Sequence, residues 1–199
     1  MTSSTYDTTL PARRRAWTRP LTPRALARSL HAGRRRSVAH CCEVARLARA
    51  IADELGLDRT ARANVELGAL LHDVGKMAVP AEILAQPRPL TDDEWAIVRR
   101  HPSEGAEMVA GLYGRPAVAA IVRNHHERWD GRGYPDGVQA GHIPLGARIV
   151  AVADAFVAMT ETRPYRAARS TVRALQQLEE HAGTQFDPDC VRALRAILA

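Results

Sequence analysis

The sequence predicts an all-α protein, and three observations indicate this fold class. Ala and Leu are abundant while aromatic residues make up only 5% of the chain, a balance typical of helical proteins. After Ser37, apolar residues recur at the three- and four-residue spacing of an amphipathic helix. A strand-like alternation of apolar and polar residues is not convincing anywhere in the chain. We therefore expect a bundle of helices.

The first two helices have clear ends. One is predicted from Ser37 to Leu55, where Gly56 ends it. Asp58 can cap the next helix, which continues through the apolar residues before Gly75.

The later helices are marked by capping signals or by apolar spacing. Thr91-Asp92-Asp93-Glu94 is a capping-box signature that begins a helix ending near residue 100. Asp187-Pro188 provides an N-cap and a proline at the first helical position, so a last helix is expected from there. Apolar spacing predicts the remaining helices over about 103–112, 116–126, 144–161 and 171–182. Between them, residues 129–141 contain four glycines and a proline, which predicts a Gly-rich loop.

Charge divides the chain into two parts. Residues 1–36 contain nine Arg and one Asp, whereas residues 37–199 contain 19 basic and 21 acidic residues. We expect a basic, flexible N-terminal arm over residues 1–22 and a helical domain over 23–199, with a short helix near 23–31. An Arg-rich arm can contact nucleic acid. Because no nucleic-acid-binding motif accompanies the Arg clusters, a solvated leader is favoured and a nucleic-acid partner is not expected.

Composition also restricts location. The most apolar segments, residues 65–71 and 149–158, are much shorter than the roughly 20 residues that span a bilayer. The first residues lack the apolar run of a secretory signal, so no secretory leader is expected. We expect a cytoplasmic protein without a membrane span. Cys41, Cys42 and Cys190 lack a Cys-x-x-Cys spacing, so they are expected to be buried reduced thiols.

Seven residues are candidate metal ligands. Their imidazoles and carboxylates suit divalent Fe, Mn, Ni, Co or Zn, although a single histidine on a helix is more often a packed side chain. Their placement strengthens the set: one pair ends an apolar helix, another pair precedes the Gly-rich loop, and a carboxylate lies within the most apolar helix, where it needs a partner. The seven are His40, His72, Asp73, His101, His125, His126 and Asp154.

Lysine is rare in this sequence. Of the 28 basic residues, 27 are Arg, and Lys76 is the single Lys. Chance can leave one lysine, but the position also suits a compact ammonium where a planar guanidinium does not fit.

Residues 36–198 resemble the HD-GYP phosphodiesterases, a branch of the HD superfamily of phosphohydrolases. The longest matching motif is His125-His126-Glu-Arg-Trp-Asp-Gly-Arg-Gly133-Tyr134-Pro135. The others are His72-Asp73-Val-Gly-Lys76, His101-Pro102 with Gly105, Ile143-Pro144, Asp154, Arg163-Pro-Tyr-Arg166, and Gly183-Thr-Gln-Phe-Asp-Pro188.

This resemblance implies an HD-domain helical bundle with a Gly-rich GYP loop beside a metal site. It implies hydrolysis of cyclic di-GMP, or a related cyclic dinucleotide, to a linear dinucleotide or GMP. Two divalent ions, Fe or Mn in preference to Ni, Co or Zn, would lower the pKa of water and clamp an in-line attack. Asp73 would bridge the ions, with His40, His72 and Asp154 on one and His101, His125 and His126 on the other.

The resemblance also implies substrate contacts. Lys76 would neutralise charge on a phosphate oxygen, and Arg163 and Arg166 would bind the substrate phosphates. Tyr134 and Trp129 either pack within the loop or contact the substrate.

Three positions depart from the family pattern. Arg36 replaces the Glu that accompanies a third metal, which favours two ions, and Glu43 and Val157 replace an Arg and an Asp. Two other functions therefore stay open: a non-catalytic effector that binds a cyclic dinucleotide, and an HD phosphohydrolase acting on another nucleotide. An input signal would come through the arm, through an oligomer contact, or not at all, and a second copy of the chain or a signalling protein is the expected protein partner.

Overall fold

The structure is a computed structural model that describes residues 35–162 and 168–199. The predicted arm, the predicted short helix near 23–31, and the predicted phosphate ligands Arg163 and Arg166 lie outside the described residues, as does the side chain of Arg36. Predictions about them stay predictions.

The described residues form nine α-helices and two short 3₁₀ helices, with an isolated bridge between Ala182 and Phe186 and no strands. The predicted all-α fold is therefore confirmed. The α-helices are α1 (Arg35–Glu54), α2 (Arg59–Leu71), α3 (Ala81–Leu84), α4 (Asp92–Val98), α5 (His101–Tyr113), α6 (Pro116–Asn124), α7 (Leu145–Thr160), α8 (Thr171–Glu180) and α9 (Pro188–Leu198). The 3₁₀ helices are Val74–Ala78 and Ala140–His142.

The predicted N-caps are present where the sequence signals placed them. The Asp58 carboxylate accepts a hydrogen bond from the backbone N–H of Ala61 at 2.8 Å. Thr91 and Glu94 form the complete capping box, each side chain accepting from the backbone N–H of the other. Asp187 caps α9, which has Pro188 in its first turn. These signals are short-range, which is why the sequence alone located them.

Other predictions needed correction. Helix α2 ends at Leu71, and the chain then forms the 3₁₀ helix before it reaches α3, a four-residue helix that is too short to show apolar spacing. Cys41 and Cys190 are buried as expected, but Cys42 is exposed. Adjacent residues on a helix point in different directions, so Cys42 faces away from the core that buries Cys41.

Two apolar clusters form most of the core. The larger cluster joins α1, α2, α7, α8 and α9 and includes Ile51, Ile149, Leu178 and Leu194, all fully buried. The smaller cluster lies beneath α5 and α6 and includes Leu71, Val109 and Val122. The candidate ligands lie beside residues of these two clusters, so packed helices fix their backbone positions. Among the described residues, no helix is long and apolar enough to cross a membrane.

Candidate metal centre

All seven candidate ligands come together, although they are contributed by five separate parts of the chain. His101, His125 and His126 form one group, and His40, His72 and Asp154 form another; within each group the ligand atoms lie within 4.8 Å of one another. We call them the imidazole group and the mixed group. The sequence prediction divided the seven residues into the same two sets, with Asp73 between them.

Asp73 faces both groups. Its Oδ2 atom lies 3.6 Å from Nε2 of His72 in the mixed group, and its Oδ1 atom lies 3.5 Å from Nε2 of His101 in the imidazole group. Each carboxylate oxygen therefore points to a histidine of a different group. A carboxylate in this position can bridge two ions, which is the role predicted for it.

Three buried histidines are held in a single tautomer. Nδ1 of His72, His101 and His125 lies 2.7–2.8 Å from the backbone carbonyl oxygen three residues earlier. Because a carbonyl oxygen only accepts, each Nδ1 carries the proton and donates it. In the neutral ring, Nε2 then carries a lone pair that is directed into the site, which is the usual arrangement of metal-ligating histidines.

The imidazole group is neutral at neutral pH. Burial lowers the pKa of His101 and of His126 to about 4, and it lowers the pKa of His125 well below its ordinary value. Nε2 of His101 and Nε2 of His125 lie 3.4 Å apart, and both are lone pairs because both Nδ1 atoms are donors. Two buried lone pairs facing each other repel unless a cation lies between them. The donor set therefore fits a metal ion.

The mixed group carries charge. Nε2 of His40 lies 2.9 Å from Oδ1 of Asp154. Burial acts to lower the pKa of His40, but the hydrogen bond and charge of Asp154 outweigh it and raise that pKa. The Asp154 side chain is 26% exposed. The contact with His40 gives this carboxylate the partner that it needs within an apolar helix.

Lys76 lies against the carboxylate of Asp73, the candidate bridge. Its Nζ atom is 2.7 Å from Oδ1 and 2.8 Å from Oδ2 of Asp73. Burial acts to lower the pKa of Lys76, yet the nearby Asp73 charge raises it, so the side chain stays protonated. The lone lysine thus occupies a place where a compact ammonium contacts both oxygens of one carboxylate.

The two motif glycines Gly75 and Gly105 allow the close approach of two backbone segments. A Cβ atom on Gly75 would lie 1.9 Å from the carbonyl oxygen of His101 and 2.6 Å from the backbone nitrogen of Gly105. The 3₁₀ helix therefore touches the first turn of α5. This contact sets the distance between Asp73 and His101.

The Gly-rich loop folds back onto the chain that precedes it. A Cβ atom on Gly133 would lie 2.6 Å from the carbonyl oxygen of His126. The buried Glu127 carboxylate accepts hydrogen bonds from the backbone N–H groups of Asp136 and Gly137 at 2.7 and 3.0 Å. These contacts hold Tyr134 against His126, with ring centroids 4.8 Å apart and planes 28° apart.

The far side of the loop is joined to the C-terminal part of the chain. Backbone N–H groups of Trp129 and Asp130 donate to the carbonyl oxygens of Gln185 and Thr184. The Arg148 guanidinium lies 5.7 Å from the Trp129 ring and donates to the buried Asp187 carboxylate at 2.6 Å. Trp129 thus packs against the C-terminal part of the chain, whereas Tyr134 lies beside His126, a candidate metal ligand.

Sequence reasoning missed three residues near the site. Glu127 supports the loop, Arg99 lies 5.5 Å from the Tyr134 ring centroid, and the Glu161 Oε2 atom lies 3.5 Å from Nδ1 of His40. Glu161 follows Asp154 by seven residues, or about two helical turns. This spacing indicates that the two residues lie on the same side of the helix, so the sequence could have identified Glu161. Nothing local in the sequence indicated Arg99.

The fold and the site define a class: a helical bundle that gathers His and Asp ligands, with an adjacent His-Asp pair at the end of a helix. The sequence matches the HD domain family over residues 21–190. The chain belongs to the HD domain family.

Two cyclic-dinucleotide phosphodiesterases are similar to most of this chain. The cyclic di-GMP phosphodiesterase response regulator RpfG of Xanthomonas campestris pv. campestris is 46% identical over 146 residues, which are 72% of this chain and 39% of that protein. The 3′3′-cGAMP-specific phosphodiesterase 1 of Vibrio cholerae is 40% identical over 131 residues, 66% of this chain and 30% of that protein. The chain therefore spans well under half the length of either relative.

A solved structure shares the fold. The cyclic GMP-AMP-specific phosphodiesterase V-cGAP3 of Vibrio cholerae superposes with a TM-score of 0.69 at 20% identity, covering 87% of this chain and 47% of that one. The family match, these relatives and this likeness together confirm the resemblance that the sequence motifs indicated.

Proposed function

We propose that this chain is a metal-dependent phosphodiesterase that hydrolyses a cyclic dinucleotide, with cyclic di-GMP as the first substrate to test. The observation that carries the proposal is the position of Asp73, whose two carboxylate oxygens face histidines of different ligand groups at 3.5 and 3.6 Å. The names of the relatives, which act on cyclic di-GMP or 3′3′-cGAMP, support the substrate class.

The ligand groups would hold one divalent ion each. Three neutral imidazoles favour a transition metal over Mg or Ca. The carboxylates of Asp154 and Asp73 favour Fe or Mn over softer metal ions. A pair of such ions supplies charge that lowers the pKa of water and stabilises a phosphoryl group under in-line attack.

The chain's own residues would arrange the substrate around this centre. Lys76, which already contacts Asp73, would place its ammonium near a phosphate oxygen, where a point charge stabilises developing negative charge. Tyr134 would close the side of the site next to His126, since its ring covers that ligand. Arg163 and Arg166 would bind phosphate oxygens in bidentate pairs.

The test is turnover by the metal-loaded protein. Anaerobically purified chain would be loaded with Fe(II) or Mn(II), incubated with cyclic di-GMP and with 3′3′-cGAMP, and its products identified as linear dinucleotide or GMP. Asp73→Ala should lose most bound metal and all hydrolysis while its helical circular dichroism is kept. His142→Ala is the matched control, because His142 is exposed and lies outside both ligand groups.

The outcome separates the proposal from the two alternative functions. Hydrolysis by wild type and His142→Ala, but not by Asp73→Ala, supports it. Tight binding of cyclic di-GMP without turnover in fully metal-loaded protein would indicate the effector function. Turnover restricted to linear nucleotides would indicate a different phosphohydrolase.

A further inference from the structure

Arg99 places a positive charge beside the candidate metal centre. It follows the last residue of α4, two positions before His101. Its guanidinium carbon lies 5.5 Å from the centroid of the Tyr134 ring, and that ring stacks on His126 at 4.8 Å. Arg99 is therefore one aromatic ring away from the imidazole group.

Arg99 differs from most arginines in the described part of the chain. Side chains such as Arg46, Arg88, Arg123 and Arg148 are paired with carboxylates at 2.6–2.8 Å. Within residues 35–162 and 168–199, Arg99 has no carboxylate at ion-pair distance, and it is exposed. A guanidinium over an aromatic face keeps its N–H donors in a rigid fork that matches phosphate geometry.

The proposed substrate needs a cation in this region. A cyclic dinucleotide contains two phosphodiesters, each with a negative charge, and only one can lie at the metal centre during cleavage. Lys76 contacts Asp73, and in the proposed function it serves the cleaved phosphate. Arg163 and Arg166 are also proposed to bind phosphate oxygens, and a further cation at the rim of the site would add a contact to the second phosphodiester.

We propose that Arg99 binds the phosphodiester that is not being cleaved. Tyr134 orients the guanidinium, and the fork of N–H donors contacts the phosphate oxygens in a bidentate pair. Arg99 is thus a substrate-binding residue that distinguishes a dinucleotide from a simple phosphodiester. This inference rests on the proposed function, because it assumes a substrate with two phosphates.

Two substrates test the role. Cyclic di-GMP has two phosphodiesters, whereas bis(p-nitrophenyl) phosphate has one and reports on the metal centre alone. Arg99→Ala should raise KM for cyclic di-GMP by about tenfold to a hundredfold, since hydrogen bonds to charged groups are the strong ones. Its kcat for cyclic di-GMP, its metal content and its kinetics with bis(p-nitrophenyl) phosphate should stay at wild-type values.

Three further variants sharpen the test. Arg99→Met keeps an apolar stem over Tyr134 and should behave like Arg99→Ala. Arg99→Lys keeps the charge without the fork and should show a smaller rise in KM. Arg100→Ala removes the neighbouring exposed arginine and should leave both substrates unaffected.

Each contrary result has a distinct meaning. If Arg99→Ala slows both substrates equally, Arg99 only supports Tyr134 and the inference is overturned. If Arg99→Ala matches wild type with cyclic di-GMP, the inference is overturned while the proposed function stands. If metal-loaded wild type cleaves bis(p-nitrophenyl) phosphate but neither binds nor cleaves any cyclic dinucleotide, the proposed function fails and the inference fails with it.

Discussion

Replacing Gly75 by alanine should separate the two halves of the metal centre. The new Cβ atom would lie 1.9 Å from the carbonyl oxygen of His101 and 2.6 Å from the backbone nitrogen of Gly105. Both atoms belong to the backbone of α5, so no side-chain rotation relieves the overlap. Restoring an ordinary van der Waals distance needs a movement of about 1.5 Å.

That movement is large for a metal site. Asp73 precedes Gly75 by two residues, and its Oδ1 atom lies 3.5 Å from Nε2 of His101 on the displaced helix. Metal–ligand distances tolerate only about 0.2 Å, and misplacement of about 1 Å can cost on the order of a hundredfold in rate. We expect turnover to fall about a hundredfold and the metal content to fall below wild type.

The same overlap should destabilise the fold. Overpacking typically costs about 1–3 kcal/mol, which lowers the melting temperature of a chain of this length by roughly 2–12 °C. Gly111→Ala is the matched control, because Gly111 lies on α5 and a Cβ atom there would contact nothing within 4 Å. It should melt at or slightly above the wild-type temperature, with unchanged turnover.

The assay is thermal denaturation, elemental analysis and steady-state hydrolysis on the three proteins side by side. A Gly75→Ala protein with wild-type melting temperature and full metal content would refute the argument that this backbone contact sets the spacing of the ligands.

Two other predictions follow from the site. Lys76→Arg should keep near-normal metal content but lose on the order of a hundredfold in rate, because a planar guanidinium cannot reproduce the ammonium contacts to Asp73. Hydrolysis of cyclic di-GMP at matched metal loading checks this expectation. A wild-type rate would make the lone lysine a compositional accident. Metal-free protein should lose stability as pH falls from about 6.5 towards 4, because burial lowers the pKa of His101 and His126 to about 4 while the unfolded chain binds those protons near pH 6.5. Urea midpoints that stay constant between pH 7 and pH 4.5 would contradict that expectation.

Local patterns explain why much of the helical structure was predictable. Asp58, Thr91 and Asp187 act within three residues of their own positions, so a capping signal in the sequence becomes a cap in the structure. The short helix α3 was missed because four residues do not establish an apolar period.

The clustering of the candidate ligands was predictable for a different reason. Their residue types suit one metal chemistry, and the His125–Pro135 motif is long enough to indicate the family. The structure brings His40 from α1 to Asp154 on α7 at 2.9 Å, a contact between residues 114 positions apart in the sequence. No local pattern encodes that distance, and it comes from the packing of α1 on α7.

The rim of the site shows where sequence reasoning ended. Tyr134 belongs to the His125–Pro135 motif whereas Arg99 lies outside every motif, and only the fold places the Arg99 guanidinium over the Tyr134 ring. Glu127 looks like a surface residue within a polar string, yet it is 4% exposed and accepts two backbone hydrogen bonds. The predictions of a homodimer and of a signalling partner stay predictions.

The most direct test of the central claim is an anomalous-difference map from crystals of anaerobically prepared, metal-loaded protein. We predict two peaks, one within the imidazole group and one within the mixed group, with Asp73 bridging them. A single peak, a peak that lacks Asp73 as a ligand, or a third well-occupied ion beside His40 would contradict the account.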